Sequence, residues 1–160
     1  MNNIYVWPQH MFDRYCEENN IDDQNVEDRD EAFISIIGTP DCLKYYLEEP
    51  DVTHWFKEEH KNVCNLDFDD LDQNFKWKGH LFKAISPEQC QKLFDFIESN
   101  IGKDFRIHCR AGHSRSLAVG YFIRDFYSDY KLCTPDLKTQ NHAVYRGLSR
   151  KYIETHGFSN

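Results

Sequence analysis

Long apolar runs are missing from this 160-residue sequence. No stretch reaches the roughly 18 consecutive apolar residues of a membrane span, and Met1-Asn2-Asn3-Ile4 does not open a basic segment followed by a long apolar one. The expectation is a soluble, cytoplasmic protein with no membrane partner. Positive charge is also scarce, with 19 Lys and Arg against 27 Asp and Glu and a formal charge of −8. That balance disfavours nonspecific nucleic-acid binding, which asks for a net basic face, but it leaves room for a local basic pocket. The six cysteines, Cys16, Cys42, Cys64, Cys90, Cys109 and Cys133, contain no CxxC pair. Neither a disulfide scaffold nor a zinc knuckle is signalled, and most of these residues are expected to be small core side chains. No repeat, low-complexity tract or second domain is visible, so residues 1–160 read as one compact domain large enough to bury a core.

What is present alternates between two periods. Ile4-Tyr5-Val6-Trp7 is a short candidate strand ended by Pro8, and Met11, Tyr15 and Cys16 then suggest a helix. The polar run 17–30 offers little apolar area and reads as a helix end and surface loop. Ala32 to Ile37 reads as a strand closed by a Gly38-Thr39-Pro40 turn, and Leu43, Tyr46 and Leu47 have helical spacing in a short segment ended by Pro50. Val63 to Phe68 alternates as a strand and runs into Asp69-Asp70-Leu71-Asp72. Ser86-Pro87-Glu88-Gln89 is a helix start: Ser86 caps, Pro87 suits the first helical position and Gln89 completes a capping box. Cys90, Leu93, Phe94 and Ile97 follow as one apolar stripe. Asp104 to His108 forms another strand, residues from Ser114 to Phe126 a strongly apolar helix, and Thr139 to Glu154 a last helix with Ala143, Val144, Leu148 and Tyr152 on its packing side. Strands alternating with helices imply an α/β fold, a mostly parallel sheet flanked by helices on both faces.

One segment is built for chemistry: Arg106-Ile107-His108-Cys109-Arg110-Ala111-Gly112-His113-Ser114-Arg115-Ser116. It lies between a strand and a helix, where backbone N–H groups converge and bind an oxyanion without needing a basic surface. The amides of Arg110, Ala111, Gly112, His113, Ser114 and Arg115 are the candidate cradle. Gly112 permits a tight turn, and Arg115 supplies a planar fork for two phosphate oxygens. The same positive environment lowers the pKa of Cys109 and populates its thiolate. Ser116 can donate to that sulfur, and His108 is placed to order the loop rather than to act as the main base.

These residues closely resemble the signature of the cysteine-dependent protein tyrosine phosphatase superfamily, particularly its small dual-specificity-like members. The signature is a His-Cys pair, five intervening residues, then Arg and Ser or Thr, here His108-Cys109 through Arg115-Ser116. The resemblance extends from about residue 32 to 128 and implies a phosphatase-like α/β fold. It further implies hydrolysis of phosphotyrosine, and also of phosphoserine and phosphothreonine, in protein or peptide substrates through a phosphocysteine, with no metal or cofactor. Cys109 would attack, Arg115 and the loop amides would hold the phosphate, and an aspartate would protonate the leaving oxygen. The resemblance of Leu66-Asp67-Phe68-Asp69-Asp70 to the strand end that delivers this acid selects Asp70, with Asp69 and then Asp72 as alternatives. Asp70 lies 39 residues before Cys109, farther than is usual, and residues 76–79 belong to the extra length.

Other readings are carried beside this one. The chain could be a catalytically weak module that binds a phosphorylated partner, or a rhodanese-like sulfurtransferase, which also uses a loop cysteine. Intact Cys109 and Arg115 argue against the first, and His108 with the Arg115-Ser116 ending against the second. Ser114 stands where RNA-triphosphatase relatives carry Asn, and the loop lacks the lysines of phosphoinositide phosphatases. Trp55, Phe56, Trp77 and Phe82 read as core or surface packing before they read as a cleft rim. Arg110 reads equally as a substrate contact and as a solvated side chain, and Asn141 as a helix cap without a catalytic role.

Overall fold

The computed structural model describes residues 1–134 and 139–158. Five strands, β1 (Asn2–Pro8), β2 (Glu31–Ile37), β3 (Val63–Asp67), β6 (Asp104–Cys109) and β7 (Tyr130–Leu132), form one all-parallel sheet in the order β3-β2-β6-β1-β7. A separate antiparallel hairpin comprises β4 (Phe75–Trp77) and β5 (His80–Phe82). The helices are α1 (Gln9–Glu18), α2 (Pro87–Ser99), α3 (Arg115–Phe126) and α4 (His142–His156). No helix among the described residues is long and apolar enough to cross a membrane.

Side chains alternate across a strand, and here the alternation divides the interior into two cores. Ala32, Ile34 and Ile36 of β2 join Phe105, Ile107 and Cys109 of β6 in the larger core, under α2, α3 and α4. Phe33 points the other way, into a smaller core with Phe12 and Cys16 of α1, Ile21, Val26, Phe56 and Val63. Each fully buried Ile, Leu or Phe contributes roughly 1.5–3 kcal/mol to this packing. Both faces of the sheet are covered, as an all-parallel sheet requires.

The helix start at Ser86 forms as its sequence dictates. The Ser86 side chain accepts from the Gln89 amide, Gln89 reaches back to the Ser86 amide, and Cys90, Leu93, Phe94 and Ile97 are all buried.

Four details differ from the sequence expectation. The 43–47 segment closes as a single π-turn (Cys42–Tyr46) and ends at Glu48, whose φ of 55° leaves helical geometry. The last helix begins at His142, not Thr139, because the Asn141 side chain accepts from the Val144 amide and fixes the terminus there. Within the mostly exposed 17–30 run, Ile21 and Val26 are buried and pin the loop to the smaller core. The β4–β5 hairpin and β7 are too short to announce themselves by periodicity. The hairpin turns on Lys78 and Gly79, both at positive φ (47° and 82°), the two-residue geometry that matches strand twist.

Candidate active site

In open α/β sheets ligands bind beyond the carboxyl ends of the strands. The cysteine segment sits there, at the end of the central strand β6. Cys109 is buried, and its Sγ lies 2.9 Å from Ser116 Oγ. Burial pushes the thiol up, but the Ser116 hydroxyl, the Arg115 charge and the Ser116 and Ser114 amides together outweigh it and hold Cys109 below its ordinary value. The loop therefore wraps its donors around the sulfur. The other shifted thiols go the opposite way: burial pushes Cys16, Cys42 and Cys64 up to about 12.

Gly112 makes this curl possible. Its φ is 77°, and a Cβ there would lie 2.5 Å from the Pro8 nitrogen and the Trp7 carbonyl carbon. Gly112→Ala is expected to cost about 1–3 kcal/mol of stability, from left-handed backbone strain and the clash with β1. A lower melting temperature, together with slower iodoacetamide alkylation of Cys109, checks it.

Arg115 opens α3 and is itself buried, its Nη1 donating to the Phe68 carbonyl at 2.6 Å. Its Nε is buried and has no hydrogen-bond partner among the described residues. A cation at a helix N-terminus opposes the helix dipole, and a buried unpaired guanidinium donor is costly. An anion bound beside the thiol would relieve both.

The three candidate acids separate by geometry. Asp69 is buried; its carboxylate accepts from the Thr39 amide, the Thr39 hydroxyl and the Lys83 amide, each at 2.8 Å. It ties the turn after β2 to the segment after β5. Asp70 is exposed and lines the same cavity as Cys109 and Arg115. Its Oδ1 accepts from Ser114 Oγ at 2.7 Å and from Asn141 Nδ2 at 2.9 Å, which orients the carboxyl group at the cavity. Asp72 is exposed and is not among the cavity's lining residues.

The cavity measures about 650 Å³. Its floor is Cys109, Ala111, His113, Ser114 and Arg115, and one wall is aromatic: Tyr46, Phe75, Trp77 and Phe82. Ring centroids lie 5.6 Å apart for Tyr46 and Trp77 and 6.0 Å for Trp77 and Phe82. Of the four aromatics read as packing, Phe56 is core, and Trp55 packs against the smaller core while its indole donates to the Ile21 carbonyl. Trp77 and Phe82 line the cavity instead, because the hairpin folds them over it. Arg110 reaches out to Glu49, with its Nε 2.6 Å from the carboxylate. Thr139, read as helix, lines the cavity and donates to the His113 carbonyl at 2.5 Å.

His108 is fully buried on the opposite face, its ring centroid 4.5 Å from that of Phe12. Burial pushes it down to about 3, against the opposing effect of its bond to the Cys109 carbonyl, so it is neutral. Sequence reasoning missed four polar partners. Ser35 and then His54 continue from His108 toward Asp67, and Asn141 steadies Asp70 as well as capping α4. Only Ser35 carried a signal, as the one hydroxyl inside an otherwise apolar strand.

Chemically, the arrangement combines a thiol held below its ordinary pKa, a cationic donor without a partner among the described residues, loop amides and a carboxyl group at one cavity. Compared with protein-family models, curated proteins and solved structures, the chain matches none of them.

Proposed function

We propose that this protein hydrolyses phosphate monoesters, phosphotyrosine foremost and phosphoserine or phosphothreonine more slowly, through a phosphocysteine on Cys109. The observation that carries this reading is the buried Arg115 Nε, without a partner among the described residues, beside a thiol held below its ordinary pKa. A phosphate dianion supplies the missing acceptor and presents phosphorus to the sulfur.

In the first step Cys109 Sγ attacks phosphorus in line, the bond to the ester oxygen breaks, and Asp70 gives that oxygen its proton. Arg115 and the amides of residues 110–115 stabilise the charge on the three equatorial oxygens. Ser116 donates to the sulfur when it is the leaving group of the second step. There water attacks phosphorus, Asp70 takes its proton, and inorganic phosphate departs. The aromatic wall of Tyr46, Phe75, Trp77 and Phe82 favours a flat leaving group, which is why tyrosine is placed ahead of serine. Six unpaired cysteines fit the reducing cytoplasm as the place of action.

The test is a phosphopeptide panel with EDTA present, combined with acid quenching of a ³²P-labelled substrate. The expected result is metal-independent release of phosphate, fastest from phosphotyrosine, with label trapped on Cys109. Tight phosphopeptide binding without turnover would instead make the chain a phosphate-binding module.

A further inference from the structure

The α1 face of the sheet holds a line of polar groups running from the nucleophile loop to solvent. His108 Nδ1 lies 3.2 Å from the Cys109 carbonyl, and His108 Nε2 lies 2.6 Å from Ser35 Oγ. Ser35 Oγ lies 2.6 Å from His54 Nδ1, and His54 Nε2 lies 2.5 Å from Asp67 Oδ1. Ser35 and His108 are fully buried, and Asp67 is exposed at the end of β3.

Counting protons along this line constrains it. The Cys109 carbonyl only accepts, so His108 Nδ1 carries a hydrogen. His108 is neutral, so its Nε2 is bare and accepts the single Ser35 hydroxyl hydrogen. Ser35 Oγ must then accept from His54 Nδ1–H. At the far end His54 Nε2 meets a carboxylate oxygen, and that contact also needs a hydrogen. A neutral His54 ring beside an ionised Asp67 is one proton short.

We propose that Ser35, His54 and Asp67 are positioning residues that hold the Cys109 loop through His108, and that they do so only while the His54–Asp67 pair keeps this additional proton. The functional meaning rests on the phosphatase reading of Cys109; the proton count does not. When the proton leaves, every arrangement of the remaining hydrogens sets two lone pairs against each other somewhere along the line. The longest contact, His108 Nδ1 to the Cys109 carbonyl, is the one that yields. His108 then carries its hydrogen on Nε2, directed at Ser35, and the carbonyl beside the nucleophile loses its donor.

Charged groups face His54 from several elements. Asp67 faces it from β3 and Asp13 from α1, where the Asp13 carboxyl is itself raised by burial, while His108 lies beyond Ser35 on β6. Lys57 donates to the His54 backbone carbonyl, and Asp22 and Asp23 line the same depression.

Asp67→Asn tests the proposal because an asparagine amide donates to a neutral His54 and completes the line at any pH. Side-chain ¹H–¹⁵N NMR of histidine-labelled protein from about pH 5 to 8, the span over which an imidazole titrates, reads the tautomers directly. The expected wild-type result is His108 protonated on Nδ1 at the acid end and on Nε2 at the alkaline end. Asp67→Asn should keep Nδ1 protonated throughout. In phosphotyrosine-peptide hydrolysis, the kcat/KM ratio of Asp67→Asn to wild type should be near one at the acid end. It should rise about five- to tenfold at the alkaline end, the worth of one restored buried hydrogen bond. Ser35→Ala should show a loss that does not vary with pH. A His108 tautomer that never changes in wild type, or a flat Asp67→Asn ratio, would overturn the relay. If no variant hydrolyses any phosphomonoester, the phosphatase reading falls, while the histidine spectra still decide the relay.

Discussion

Cys109→Ser is expected to leave a folded protein whose phosphomonoester turnover has fallen by roughly 10⁴–10⁶-fold, the scale on which removal of a nucleophile is felt. The substitution is nearly isosteric, and the new hydroxyl still meets Ser116 Oγ, which lies 2.9 Å from the present sulfur. What is lost is the anion. The loop amides, Ser116 and Arg115 bring a thiol within reach of ionisation, but a serine hydroxyl starts too high for the same fields to ionise it. Arg115 and the cradle remain, so the variant should still bind phosphotyrosine peptide, and calorimetry of that complex separates a lost nucleophile from a lost fold. The acid limb of the wild-type profile follows from the same residue with a definite sign. Cys109 is depressed, so the thiolate persists below the ordinary thiol range, and activity falls only as pH drops through that lowered value. Full activity in Cys109→Ser would end the covalent mechanism.

Asp70→Ala should lower turnover of phosphotyrosine peptide by about 10²–10⁴-fold, the range of a positioned general acid. The loss should shrink for p-nitrophenyl phosphate, whose leaving group departs with little help from a proton. That dependence on the leaving group is the signature of an acid, and a merely structural aspartate would not produce it. The general acid must carry its proton at the first step, so the wild-type profile should have an alkaline limb. Asp70→Ala should lack that alkaline limb. Asp69 is the wrong residue for this experiment despite lining the cavity. Its carboxylate is engaged by Thr39 and Lys83, so removing it loosens two loops rather than one proton transfer. Equal losses for both substrates in Asp70→Ala would redirect the acid assignment.

Much of the frame was readable from pattern because local chemistry and tertiary demand agree there. The capping box at Ser86 and the stripe through Cys90, Leu93, Phe94 and Ile97 specify α2 without reference to the rest of the chain. The strand-loop-helix setting of Cys109 was equally local, as was its neighbour Ser116, and both lie where that reading put them. The choice among Asp69, Asp70 and Asp72 was not local. Adjacent acids differ in sequence by nothing that charge or period can weigh; they differ because Thr39, Lys83, Ser114 and Asn141 arrive from four other segments. The same holds for the aromatic wall. Trp77 and Phe82 reach the cavity only because a three-residue strand pair turns on Lys78 and Gly79, and strands that short leave no periodic trace. Ser35 was visible as a hydroxyl in an apolar strand, but its partners His54 and Asp67 are distant in sequence and meet it only in the folded sheet.

The contact between Gly112 and the Trp7–Pro8 backbone bears on the order in which the molecule assembles. β1 pairs with β6 in a register that sets Pro8 opposite Cys109, and Asn2 bonds Asp104 across 102 positions of chain. Contacts of such long sequence separation are reached late, since the loop between them must first be closed. The curl around the sulfur therefore cannot precede the docking of the first strand. A chain in which β2, β3 and β6 have already paired still holds an ordinary thiol, and the reactive one arises only once β1 has docked on β6. Emergence of a fast-alkylating Cys109 during refolding thus marks the docking of β1.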